Sequence, residues 1–302
     1  MNDKVIKTNS AWAWLLAARP KTLSGAAVPV LIGTTLAYID ARFYTANNFS
    51  WVAAVLCLLF AFIMQIDANF INDFFDYVNG NDDVSTRLGP RRACAQGWVK
   101  LDSMKRAIAG TTVLACVTGL PLIYYGGLEM VLIGAICIVG CFLYTTHLAS
   151  LGLGDLLVLV FFGILPVCIC YYVQLHTCTW TVFIGSVATG LVIDSMLIVN
   201  NYRDREQDRD AGKQTLVVRL GDQISLRLYL ASGVIAWLLG ICYWINGHLL
   251  AFILPVIYLV LHFFTYLKIK RIDHGKALNA CLGETARNIL IYGITVALGL
   301  LL

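Results

Sequence analysis

Charge is scarce in this 302-residue chain. Asp, Glu, Lys and Arg make up 13% of it, against roughly 25% in an average soluble domain. A soluble globule is therefore excluded as the main architecture. No polar stretch is long enough for a separate soluble unit, so one membrane domain over residues 1–302 is expected. The amino terminus lacks a short apolar core followed by a small-residue cleavage site, so no removable signal peptide is expected. Of the ten cysteines, Cys57, Cys116, Cys137, Cys141, Cys168 and Cys170 lie inside apolar runs, where a thiol behaves as a small hydrophobe. Cys137 and Cys141 share a helix face but have no acid or histidine beside them. Metal or redox chemistry there is not expected, nor are disulfides.

What the chain has is apolar length: 59% of its residues are hydrophobic. Runs of about 20 apolar residues, enough to cross a ~30 Å hydrocarbon core, recur from end to end. The fold class expected is all-α, a polytopic membrane bundle of about nine spans around a central cavity. The spans read as Ala11–Tyr38, Trp51–Ile71, Ile108–Tyr125, Met130–Thr146, Leu153–Val173, Trp180–Val199, Leu228–Ile245, Leu249–Leu267 and Ile289–Leu302. The first is long because an amphipathic entry, "AWAWLLAARPK", precedes its spanning part. With that count, 21 of the 22 lysines and arginines fall on the side of the amino terminus, and only Arg42 lies opposite. Basic residues stay cytoplasmic, so that side is expected to be the cytoplasm. The net charge of +4 then reports topology and calls for no nucleic-acid partner.

Acid collects at two places on that same side. "NDFFDYVNGNDD" (residues 72–83) follows the second run and "NNYRDREQDRDAGKQTLVVRLG" (residues 200–221) follows the sixth. The first box is Asn72-Asp73-x-x-Asp76; the second is Asn200-Asn201-x-x-Asp204, followed by Asp208. The recurrence after 128 residues hints at an internal duplication. If the helices continue, Asn72 and Asp76, and likewise Asp204 and Asp208, project from one face at four-residue spacing. Each pair presents hard oxygen ligands, and Mg²⁺ typically binds one or two carboxylates plus substrate phosphates. Two facing half-sites would hold two Mg²⁺ around a diphosphate. Asn201, Asp73 and Asp82 belong to the same boxes and are candidate contributors. A single such spacing is usually solvated surface, whereas two boxes at span ends on one side point to a site.

Ionisable groups retained in a membrane are functional suspects, which brings in Asp67 and Asp194 inside spans two and six. Each reads either as a helix-packing group or as a proton acceptor in the cavity. Basic stretches "RLGPRR" (87–92) and "AGKQTL" (211–216) follow the boxes, with turn formers that let them fold back as loops or short capped helices. Arg87, Arg92, Arg203 and Lys213 are candidates for the substrate, because guanidinium and ammonium groups complete a diphosphate clamp; Asn69 joins them.

These residues resemble a known family. "RPKTLSGAAVPVLIGT", "NFINDFFDYVNGND" with "RLGPRR", and "NNYRDREQDRDAGKQTLVVRLG" are similar to the intramembrane aromatic prenyltransferases of the UbiA superfamily, over nearly the whole chain. The RPKTL opening and the TLVVRLG tail favour its 1,4-dihydroxy-2-naphthoate branch in menaquinone synthesis. The resemblance implies a helical bundle with two Mg²⁺ at a cytoplasmic mouth. It places Asn72, Asp76, Asp204 and Asp208 at the metal positions. "YTTHLASLGLGD" (144–155) departs from the family by lacking Lys, Arg and Pro before Gly152-Leu153-Gly154-Asp155, which leaves headgroup contacts open; His147 is one replacement.

The implied reaction ionises polyprenyl diphosphate, lets the dihydroxynaphthoate ring attack, and loses CO₂ in the membrane, giving demethylmenaquinol. Lys21 and Arg19 are candidates for the acceptor carboxylate, and Asp67 or Asp73 for its phenolic proton. The expected setting is the bacterial inner membrane, surrounded by lipid. Rivals are a sister enzyme using 4-hydroxybenzoate, homogentisate or haem, a transporter, and a structural membrane protein. A transporter would carry its ionisable groups near the midplane, and a structural protein leaves the paired boxes unexplained.

Overall fold

A computed structural model describes residues 6–44, 49–80, 87–144 and 152–302; the expected Asp82 and His147 lie outside them. Among the described residues every regular element is helical. In chain order these are α1 (Ala11–Ala18), α2 (Leu23–Tyr44), α3 (Trp51–Val78), α4 (Leu101–Gly119), α5 (Leu122–Gly126), α6 (Glu129–Leu143) and α7 (Gly154–Val158). After a π-helical stretch, Leu159–Ile164, come α8 (Leu165–Leu175), α9 (Trp180–Asp210), α10 (Leu216–Leu220), α11 (Asp222–Leu239), α12 (Ile241–Ile245), α13 (Leu249–Ile253), α14 (Val256–Ile272) and α15 (Asn279–Leu301).

Among the described residues six stretches are long and apolar enough to cross a bilayer: Ala11–Arg42, Trp51–Val78, Gly154–Leu175, Trp180–Asp210, Asp222–Ile245 and Leu249–Ile272. The chain is therefore a polytopic membrane protein. The expected count of nine is not established. The third, fourth and ninth expected spans do fall on helices, but these are short or begin with polar turns. α4 opens "LDSMKR" and ends before Pro121, α6 is a shorter apolar helix, and α15 opens "NACLGETARN".

Local chemistry sets the ends. Ser50 and Thr179 cap α3 and α9, their hydroxyls accepting from Ala53 N and Val182 N at 3.2 and 3.3 Å, so orphan amides at each start are satisfied. Directly after each cap stands an exposed tryptophan, Trp51 and Trp180, the residue type that settles at membrane–water interfaces. The entry helix expected before the first span is separate: Arg19 adopts φ 49°, and Pro20 opens a 3-10 turn that redirects the chain into α2.

α2 and α9 are the most enclosed of these stretches. Their core joins Ile32, Val192, Ile193, Ile289 and Tyr292. Close backbone approach substitutes for side-chain bulk where the π-helical stretch crosses α9. A Cβ on Gly163 would lie 2.5 Å from Gly190 Cα and 2.7 Å from the Ser186 carbonyl oxygen. Small residues at such seams are how membrane helices pack. Backbone atoms cannot step aside, so Gly163→Ala is expected to destabilise the protein by about 1–3 kcal/mol. Gly110, with no neighbour within 4 Å of its position, serves as control: Gly110→Ala should leave the thermal midpoint in detergent unchanged or slightly raised.

Candidate functional site

Both α3 and α9 stay helical beyond their apolar parts, so the four-residue spacing becomes real geometry. Asn72 and Asp76 of α3, Asn79 directly after it, and Asn200, Asn201, Asp204 and Asp208 of α9 line the mouth of one cavity of about 1310 Å³. Arg19 and Lys21 from the α1–α2 break, Arg87, Arg91 and Arg92 from the loop after α3, and Lys213 after α9 complete the rim. Deeper walls are apolar, with Phe60, Met64, Ile133, Phe161, Phe162 and Ile169 among them.

The mouth is electrostatically unusual. Asp76 sits in the last turn of α3, and Asp204 and Asp208 in the last two turns of α9. Exposed carbonyls make a helix C-terminus the negative end of its dipole, so these carboxylates add like charge to like and call for cations. Protein cations answer part of that demand. Arg92 donates to Asp76 at 2.8 Å and Lys213 pairs with Asp208 at 3.3 Å. Asp76 also lies in the field of Lys213, which follows the other box, and of Arg87 and Arg19. The two boxes therefore face one another.

The donor set fits a hard cation. Among the described residues no three His, Cys, Asp or Glu side chains gather as a self-sufficient metal cage. Each box instead offers a carboxylate or two and an amide oxygen, which suits Mg²⁺, an ion that fills its shell with water and phosphate oxygens.

Several expected site residues do other work. Asp73 is 1% exposed and accepts from the backbone amides of Ala93 and Cys94 at 2.8 and 2.9 Å. Both its oxygens are spent fixing the turn that presents Arg92 to Asp76, so it does not reach the cavity. Asp67 is fully buried against α4, accepting from the Thr111 and Thr112 hydroxyls, the latter at 2.8 Å. Its position is that of a packing group and not of a proton acceptor. Asn69 donates to Ala18 O and Thr22 Oγ1, each at 3.0 Å, bracing the break that carries Arg19 and Lys21 without touching the cavity. Arg203 is 2% exposed and points backwards: it donates to both Asp204 oxygens, to Asn200 Oδ1 at 2.7 Å and to Asn279 Oδ1 at 2.8 Å. It orients the second box and does not line the cavity.

Two supporting residues were not read from the sequence. Asn279, at the start of α15, also donates to Leu88 O at 2.8 Å, tying the RLGP loop to α9. Arg205 is 4% exposed and donates to Tyr202 O and Asp273 O at 2.7 and 2.9 Å, and pairs with Asp222 at 3.0 Å. It thus clasps the end of α9 to the start of α11 and to the turn after α14. The Tyr202 hydroxyl donates to Asp273 at 2.6 Å and holds that carboxyl below the usual carboxylate range. Arg205 looked like one more topology-setting cation; no spacing singled out Asn279.

An apolar helical cavity with a mouth of facing oxygens and cations defines a membrane protein built to hold a polyanion on a greasy tail. The UbiA prenyltransferase family model matches residues 12–290, and the chain belongs to that family. A relative from Escherichia coli, strain K12, 1,4-dihydroxy-2-naphthoate octaprenyltransferase, is 37% identical over 226 residues, covering 72% of this chain and 71% of that protein. Two solved structures share the fold. A UbiA homologue from Aeropyrum pernix has a TM-score of 0.69 at 15% identity, over 94% of this chain and 98% of that one. A UbiA homologue from Archaeoglobus fulgidus, bound to DMAPP and Mg²⁺, has a TM-score of 0.60 at 17% identity with the same coverage.

The division of labour within the first box is testable by paired substitution. Asp73→Ala should lower stability by about 1–3 kcal/mol for each amide left unpaired, read as a drop in the thermal midpoint. Asp76→Ala should leave that midpoint nearly in place while prenyl transfer falls at least about 100-fold, the scale of losing one stabiliser of developing charge.

Proposed function

We propose that this chain, acting as a single domain, transfers a polyprenyl group from polyprenyl diphosphate to 1,4-dihydroxy-2-naphthoate, releasing diphosphate and CO₂ and giving demethylmenaquinol for menaquinone biosynthesis. The observation that carries the chemistry is the pair of boxes facing each other across one cavity mouth. The acceptor follows from the relative named above.

Asn72 and Asp76 on one side, and Asn201, Asp204 and Asp208 on the other, would hold two Mg²⁺ through side-chain oxygens. When bound, Mg²⁺ supplies charge neutralisation for the departing diphosphate. Arg19, Arg87, Arg92 and Lys213 add positive charge from the rim, and the last two move from carboxylate partner to phosphate partner. The apolar wall holds the isoprenoid and keeps water from the allylic cation. Lys21, exposed on the rim, would take the acceptor carboxylate. The protein works in the bacterial inner membrane among its lipids, amino terminus and boxes cytoplasmic, without nucleic acid.

Purified protein with Mg²⁺, a polyprenyl diphosphate and dihydroxynaphthoate should yield the decarboxylated prenylated quinol by mass spectrometry. EDTA should stop turnover and added Mg²⁺ restore it. Product with 4-hydroxybenzoate but none with dihydroxynaphthoate would reassign the acceptor; undiminished turnover in EDTA would remove the metal.

A further inference from the structure

The proposed reaction takes a proton from a ring hydroxyl and gives one back after CO₂ leaves. Of the acids considered from the sequence, Asp67 and Asp73 both face away from the cavity, which leaves Asp194. It has a partner in Asp155. Asp155 lines the cavity wall at the start of α7. Asp194, 7% exposed, is not among the residues that line the cavity; it lies on α9, opposite the helix that carries Asp155.

The seam between α7 and α9 sets their register. Gly163 meets Ser186 and Gly190, Leu159 meets Gly190, and Gly154 meets Leu197. Rising numbers on one helix meet falling numbers on the other, so the two run antiparallel. Asp155 is four residues before Leu159 and Asp194 four after Gly190, which brings the two acids opposite one another on the same faces. Their electrostatics agree, because the charge of Asp155 acts on Asp194. Tyr144, another residue of the cavity wall, lies within the field of both acids and of Asp76, which links the pair to the mouth. In each acid the Oδ1 atom is buried and meets no hydrogen-bond partner among the described residues. A buried polar atom without a partner is costly, and a substrate hydroxyl would remove that cost.

We propose that the opposed carboxyls of Asp155 and Asp194 form a proton-holding pair that takes the ring-hydroxyl proton of the aromatic acceptor and later returns it. The proposal rests on the function above. A prenyl chain offers a carboxyl nothing to bind, and a diphosphate is repelled by it, whereas a hydroxylated ring brings O–H donors. Two opposed acids in an apolar wall are an arrangement that keeps one proton on two sites. In the step itself, the allylic C–O bond breaks and its electron pair leaves with the diphosphate. The ring carbon bearing the carboxylate bonds to the allylic carbon, and the hydroxyl proton passes to the pair, leaving a ketone. Loss of CO₂ sends the carbon–carboxylate electrons into the ring, and the ketone oxygen takes the proton back. The pair ends as it began.

The test compares wild type with Asp155→Asn and Asp194→Asn, substitutions of nearly unchanged shape. Turnover of dihydroxynaphthoate is measured with Mg²⁺ and polyprenyl diphosphate, and binding is measured with a non-hydrolysable prenyl diphosphate analogue. Expected is a fall in kcat of about 100-fold or more, with analogue affinity within about threefold of wild type, separating chemistry from binding. Infrared spectra should also show a protonated-carboxyl band in wild type that is lost in Asp194→Asn. Undiminished kcat in both variants, or analogue binding lost in step with turnover, overturns the proposal. Wild type that binds the analogue but leaves dihydroxynaphthoate unchanged overturns the acceptor assignment instead, a failure visible before any variant is made.

Discussion

Carboxylates placed at the carbonyl ends of two long helices create a standing demand for positive charge, and much of the bundle serves that demand. Helix dipoles make such positions unfavourable for anions. Asp76, Asp204 and Asp208 nevertheless stand there, within a membrane-spanning fold that gives little help from bulk water. The rim loops return their arginine and lysine to these acids. Buried polar groups then hold the loops: Asp73 pins the turn directly after Arg92, Asn279 ties down Leu88, and Arg205 anchors the end of α9.

The sequence alone exposed the broad features because they depend on spacing. Four-residue intervals survive into the structure whenever a helix continues, and α3 and α9 do continue. What spacing could not decide was rotation. Asp73 lies roughly 100° around the helix from Asn72, enough to turn it from the cavity towards Ala93 and Cys94. In the same way Arg203 reads as a rim cation beside Asp204 but turns back to grip it. Polar residues that brace the site from a distance in sequence, such as Asn279, carry no periodic mark at all.

Helix limits were legible where apolar length decides them and illegible where a single backbone angle does. The break at Arg19 rests on one left-handed residue followed by proline, inside a stretch whose hydropathy runs on across it. The polar openings of α4 and α15 likewise extend helices beyond the apolar runs that announced them. Gly163 and Gly190 could be seen as small residues, but only the fold shows that they touch and so bring Asp155 level with Asp194.

The exposed tryptophans at the starts of α3 and α9 also act as a ruler. Twenty-five residues separate Trp51 from Asp76 and twenty-four separate Trp180 from Asp204. At 1.5 Å per residue these are about 38 and about 36 Å of helix. Two boxes from distant parts of the chain thus stand at nearly equal helical lengths from the tryptophans that open their helices. A change in membrane thickness meets both helices at the same length from their tryptophans, so neither box shifts against the other.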